Sequence, residues 1–203
     1  MKKLLVCFLC VMLVVFFVTT GAQAQLIEET FYLTSDHMTD GAGIPPFGEV
    51  TLTENIGDVT FLVSLYDGSQ FVRTGAGDGM NFLFNAADIV LGDIFGGGLT
   101  AAEGPFSHGG GTFQYGVYFT GQGTGGSDAM SGPIGFTVYN STIDDFILDN
   151  GIGEIFVADI LSGQTGFTGL VDASGSSVPE PATMLLLGSG ILGLALFGRQ
   201  RFK

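Results

Sequence analysis

EVTLTENIGDVTFLVSL, residues 49–65, decides how the middle of this chain folds. Glu49-Val50-Thr51-Leu52-Thr53 alternates polar and apolar residues, and Val59, Phe61, Val63 and Leu65 occupy every second position of the next run. A period of two marks a half-buried strand, because successive side chains point to opposite faces. Asn55-Ile56-Gly57-Asp58 lies between the two runs and supplies turn chemistry.

The same pattern recurs along the chain. Phe113, Tyr115, Val117 and Phe119 alternate with polar or small residues, and Ile134–Val138 and Glu154–Ile160 read as further strands. Weaker candidates are Phe31–Leu33, Phe71–Arg73, Asn81–Phe84 and Phe167–Val171, with turns at Asp67-Gly68, Asp78-Gly79 and Asn150-Gly151. No stretch between the ends sustains an amphipathic helix, and no fixed-period repeat suggests a solenoid. Short strands and Gly-rich turns predict an antiparallel β-sandwich of jelly-roll type. Its phenylalanines fill the space between two sheets.

Charge narrows the partners. Lys2, Lys3, Arg199, Arg201 and Lys203 sit at the extreme ends, so Arg73 is the single cation from Gln25 to Val178. That segment holds nineteen Asp and Glu and carries a formal −18. Such a surface repels phosphate backbones and anionic lipid, which argues against nucleic-acid binding. Divalent cations and neutral polymers are the compatible partners.

Both ends read as targeting segments. Lys2-Lys3, the apolar run Leu4–Val18 and Ala22-Gln23-Ala24 form a secretory signal peptide over residues 1–24, with Ala22 and Ala24 as the small residues that signal peptidase reads. Leu9 before Cys10 is too bulky for a lipoprotein site. Both cysteines, Cys7 and Cys10, lie inside this leader, so the exported domain has no disulfide and depends on packing, hydrogen bonds or bound ions. The domain is expected over residues 25–171, followed by a small-residue linker at 172–177.

The tail, residues 178–203, has three parts in order. Val178-Pro179-Glu180-Pro181 is an extended, accessible stretch, because its prolines break regular structure. Ala182–Phe197 is an apolar run that as a transmembrane helix would measure about 24 Å at ~1.5 Å per residue. Arg199, Arg201 and Lys203, within the basic tail 199–203, act as a stop that stays cytoplasmic and leaves the domain outside.

This Pro-Glu-Pro, hydrophobic-helix, basic-end order resembles the PEP-CTERM sorting signal of bacteria that make extracellular polysaccharide. The resemblance implies recognition by exosortase, a membrane-embedded cysteine protease or transpeptidase. It also implies transient anchoring at the inner membrane, then delivery to the cell surface or extracellular matrix. The segments around Phe113–Phe119 and Ser131–Val138 are similar to Gly-rich β domains found ahead of this signal, a likeness that carries no activity.

Motifs of catalysis are imitated but not completed. Gly121–Gly126 satisfies a G-x-G-x-x-G search, yet no helix follows to meet a pyrophosphate. His108-Gly109-Gly110-Gly111 resembles an esterase oxyanion turn, but Gly125–Ala129 lacks the final Gly of a nucleophile elbow. Asp144-Asp145 is an adjacent acid pair with nothing to distinguish it from chance. No enzyme activity is expected.

Zinc sites are excluded, because the exported segment has no Cys and its two histidines, His37 and His108, are distant. No cofactor is required. Calcium takes oxygen ligands from loops, and the candidates for a structural Ca²⁺ are Asp36, Asp40, Asp78, Asp145, Asp149 and Asn150. The functional expectation is an exported structural or adhesive protein associated with exopolysaccharide and biofilm. The alternatives are a Ca²⁺-assisted, lectin-like glycan-binding module and, less favoured, a polysaccharide-active enzyme.

Overall fold

A computed structural model of the chain describes residues 26–108 and 111–174. The signal peptide with Ala22 and Ala24, the motif Val178–Pro181, the apolar run 182–197 and the basic stop Arg199, Arg201 and Lys203 lie outside the described residues. Among the described residues no helix is long and apolar enough to cross a membrane.

Twelve strands follow in chain order: β1 (Ile27–Leu33), β2 (Ser35–Asp36), β3 (Gly48–Asn55), β4 (Asp58–Leu65), β5 (Gln70–Phe71), β6 (Phe82–Phe84), β7 (Ile94–Phe95), β8 (Leu99–His108), β9 (Gly111–Phe119), β10 (Ile134–Tyr139), β11 (Glu154–Leu161) and β12 (Thr168–Ser174). Short 3₁₀ turns at Leu91–Asp93, Gly126–Asp128 and Ile143–Phe146 are the helical elements among the described residues.

The strands form two antiparallel sheets. One runs β1-β3-β4-β10-β7; the other runs β2-β12-β11-β6-β9-β8, with β5 also paired to β11. The connectivity is richer in hairpins than the jelly roll expected, since β3–β4, β8–β9 and β11–β12 are sequential neighbours within a sheet.

The opening stretch folds as read. Val50 pairs with Val63 and Leu52 with Phe61, and Val59, Phe61 and Val63 are fully buried. Asn55 faces Asp58, so Ile56-Gly57 is a two-residue hairpin loop with φ of 45° and 83°. Positive φ at both central positions is the type I′ turn, whose twist matches that of the flanking strands.

Aromatic rings join the sheets. Phe61 of β4 stacks on Phe136 of β10 with centroids 4.6 Å apart and meets Phe146 edge-on at 4.8 Å. Across the sandwich it contacts Phe84 of β6 at 5.4 Å and Phe156 of β11 at 6.0 Å. Phe31 of β1 reaches the same Phe156 at 5.1 Å. Edge-to-face and offset pairs at these separations add about 0.5–1.5 kcal/mol each beyond area burial. A second cluster of Met80, Leu83, Phe106, Phe113, Val157 and Leu170 covers the other side of the seven-stranded sheet. Strand alternation puts Val157 and Leu170 opposite Phe156 and Val171, which belong to the main core.

Three details differ from the sequence reading. β8 carries no strand signal, because Ala101, Ala102, Glu103, Gly104 and Pro105 are poor strand formers. Gly104-Pro105 falls at the register shift between Glu103 and Phe106, where a missing N–H is tolerated. The linker expected over 172–177 begins too early: Asp172, Ala173 and Ser174 belong to β12, where Asp172 pairs with Val157 and Ala173 is buried. The domain therefore runs past residue 171. At Phe71–Arg73 only Phe71 lies in a strand, with Gln70.

Ile56 breaks a local rule. A β-branched residue at positive φ is strained, and its side chain is 88% exposed, so no packing compensates. Ile56→Asn keeps the turn and favours its conformation. Urea denaturation is expected to show a gain of about 1 kcal/mol with an unchanged slope.

Candidate functional site

The main polar cluster brings together four residues that the sequence keeps apart. His37 follows β2 and is held by its N–H donating to the Leu170 carbonyl at 3.0 Å, beside β12. Asp172 lies on β12 itself, and Glu154 opens β11 at a register shift. His108 ends β8, where it pairs with Gly111. Phe106 and Phe113, packed with Val157 and Leu170, hold the end of that hairpin against the outer face of the sheet.

His37 Nε2 lies 2.9 Å from Asp172 Oδ2 and 2.9 Å from Glu154 Oε1. His108 Nε2 lies 3.5 Å from the same Glu154 oxygen and makes no hydrogen bond. The two imidazoles meet edge to face, with centroids 4.6 Å apart. Glu154, Asp172 and His108 are buried, whereas the His37 side chain is 38% exposed and opens the cluster to solvent.

Asn150 organises the floor. Its Nδ2 donates to Glu154 Oε2 at 2.7 Å, and its Oδ1 accepts from the Glu154 and Ile152 N–H groups. The Thr112 N–H donates to the Asn150 carbonyl at 3.1 Å, which ties the β8–β9 hairpin to the start of β11. Gly111 is required here, since a Cβ at that position would overlap the Asn150 amide.

Burial dominates the electrostatics. It pushes the His108 pKa down, with the Glu154 charge pulling the other way. It pushes the Asp172 pKa up, and the neighbouring Glu154 charge pushes in the same direction while His37 opposes both. The group can hold a shared proton or a cation.

The two histidines are therefore distant only along the chain, and the reason for setting zinc chemistry aside does not survive folding. Spacing gave no signal, since His37 and Asp172 are 135 positions apart. Of the six residues picked for calcium, Asn150 alone touches this cluster, as a support for Glu154. The others serve turns. Asp36 accepts from the Met38 N–H and Asp149 from the Gly151 N–H, while Asp78 accepts from the Ser107 N–H. Asp145 caps the 3₁₀ turn at Thr142, and Asp40 is exposed in a turn. Gly121–Gly126 is an inter-strand loop between β9 and β10, as read, and His108 stands at a hairpin end rather than over a nucleophile.

The cation Arg73 is used internally. Its Nε donates to the Gly79 carbonyl and its Nη1 to the Gln122 carbonyl, both at 2.7 Å, with the guanidinium 3.8 Å from the Tyr118 ring centroid.

Residues 177–201 match the PEP-CTERM protein-sorting motif, so the C-terminal signal is carried by this chain. No curated protein and no solved structure matches the chain.

One buried acid stands apart from the cluster. Asp159 on β11 accepts from the Thr74 N–H at 2.6 Å and the Thr74 hydroxyl at 2.7 Å through Oδ2, while Oδ1 has no partner. Burial raises its pKa to about 6, against the Thr74 hydrogen bonds that lower it. The folded state thus holds a proton that the unfolded chain releases near pH 4, so this group's contribution falls as pH rises from about 4 to about 6. Asp159→Asn keeps an acceptor for Thr74 and removes the charge. The stability difference between variant and wild type is expected to grow in the variant's favour across that window, on the order of 2–3 kcal/mol, in urea titrations at successive pH values.

Proposed function

We propose that this PEP-CTERM chain is delivered to the cell surface or extracellular matrix, where it serves as a non-enzymatic structural or adhesive component associated with exopolysaccharide and biofilm. The motif at 177–201 carries the reading: it marks an exported, membrane-transiting protein that exosortase sorts. Signal peptidase removes the leader, and the inner membrane holds the chain until exosortase acts.

The exposed side of the five-stranded sheet supports the polymer-associated part. Thr30 pairs with Thr51, Thr53 with Thr60 and Thr60 with Thr137, which forms rows of hydroxyls across four strands. Thr30 and Thr51 Oγ1 lie 3.5 Å apart, and Thr60 and Thr137 Oγ1 3.2 Å apart. Phe95, Tyr32 and Tyr139 are exposed on the same side, at 64%, 37% and 42%. Hydroxyl rows bordered by aromatic rings match a neutral polysaccharide, which offers hydroxyls and apolar ring faces and no charge for the acidic domain to repel. The calcium-assisted lectin reading draws no comparable support, because Asp36, Asp78, Asp145 and Asp149 already accept hydrogen bonds from backbone N–H groups.

Two measurements separate sorting from binding. Intact mass of the mature protein, from cells with and without exosortase, is expected to show a chain shortened near Pro179–Pro181 only when exosortase is present; an unshortened chain in the wild type overturns the sorting step. Retention on the host's own exopolysaccharide is expected to weaken several-fold in Thr60→Val with Thr137→Val, which removes the hydroxyls and keeps strand-forming residues, while the melting profile is kept. Unchanged retention would remove the threonine face from the reading.

A further inference from the structure

We propose that His37, His108 and Glu154 bind one divalent ion of the zinc type, with Asp172 beside the position left open. The inference does not rest on the sorting reading. One ligand atom from each of the three lies within 4.8 Å of the others. Two imidazoles and a carboxylate are the donor set that suits zinc, whereas calcium prefers oxygen alone.

The geometry is close to what such an ion needs. Zinc bonds to nitrogen of about 2.0–2.1 Å in a tetrahedron place neighbouring donors about 3.3–3.5 Å apart. His108 Nε2 and Glu154 Oε1 are already separated by 3.5 Å. The 2.9 Å between His37 Nε2 and Glu154 Oε1 must open by a few tenths of an ångström, and His37, the exposed member, is free to do so.

Two observations fit a cation-binding group rather than a closed hydrogen-bond network. His108 Nε2 has no hydrogen-bond partner although the residue is 7% exposed, and it is turned toward Glu154. Glu154 and Asp172 are 5% and 3% exposed, and Arg73, the domain's one Lys or Arg, is engaged at Gly79 and Gln122. His37 Nε2 alone thus lies within 2.9 Å of both buried carboxylates. A divalent ion at this point, with each imidazole neutral and carrying its proton on Nδ1, offsets the charge of both carboxylates and gives His108 Nε2 a partner.

The support around the ligands is also present. Asn150 Nδ2 fixes Glu154 Oε2 and leaves Oε1 for the ion, as outer hydrogen bonds do at metal centres. The ion would pin the end of the β8–β9 hairpin to β11 and to the segment after β2. That cross-link takes the place of the disulfides an exported chain without cysteines in its domain cannot form.

The test uses the full chain, free of any histidine tag, purified in detergent, stripped with chelator and titrated with zinc chloride or calcium chloride. The wild type is expected to retain one zinc per chain after dialysis and to melt at a higher temperature, an increase that EDTA reverses. His37→Gln and Glu154→Gln are each expected to lose stoichiometric zinc. X-ray absorption on the zinc-loaded wild type, which needs no variant to fold, is expected to show two imidazoles and oxygen donors. No stoichiometric uptake, uptake that survives both substitutions, calcium competing as well as zinc, or a zinc spectrum without imidazole overturns the proposal.

Discussion

The contact of Phe61 with Phe84 and Phe156 across the two sheets is the constraint on which the other features depend. An exported domain with no cysteine has no covalent link to fix the spacing of its layers. Large rings do this instead, because each buries a wide apolar surface with few rotatable bonds. Phe61 is also pinned in register, opposite Leu52 on one side and Phe136 on the other. A slip by one residue would send it to the threonine face.

Charge sets the second constraint. Nineteen acids and one arginine leave the domain a single Lys or Arg to set against its carboxylates, so hydrogen bonds from the backbone and from polar side chains carry much of that task. Asp145 and Asp149 are satisfied this way at turns, and Asp159 by Thr74. Glu154 and Asp172 are the exception. They converge on imidazoles as well, with Asn150 holding Glu154 Oε2, and the polar cluster at the end of the seven-stranded sheet follows from that.

Destination and activity occupy separate parts of the chain. The sorting motif at 177–201 is a run of consecutive residues, so it needs no tertiary structure to be recognisable. The domain ahead of it presents its chemistry only as surfaces, the threonine rows on one sheet and the histidine–carboxylate cluster on the other.

This division explains what the sequence by itself determined. Alternation in residues 49–65 and 113–119 placed strands and their buried faces, because the pleat translates sequence parity directly into side; the apolar run 154–160 marked a strand that is buried on both faces. Turn residues located the hairpin at Ile56-Gly57, and the order of the tail residues announced the sorting signal. Tertiary structure alone decided the rest. β8 is a strand because β9 completes its ladder despite Gly104 and Pro105, and β12 extends through Ser174 because β11 pairs with it. His37, Glu154 and Asp172 meet because β2, β12 and β11 are successive neighbours in the sheet, and His108 joins them because Phe106 and Phe113 pack the end of the β8–β9 hairpin on Val157 and Leu170. Their separation along the chain carries no trace of that meeting, since pairing between distant strands is fixed by the whole core rather than by local spacing.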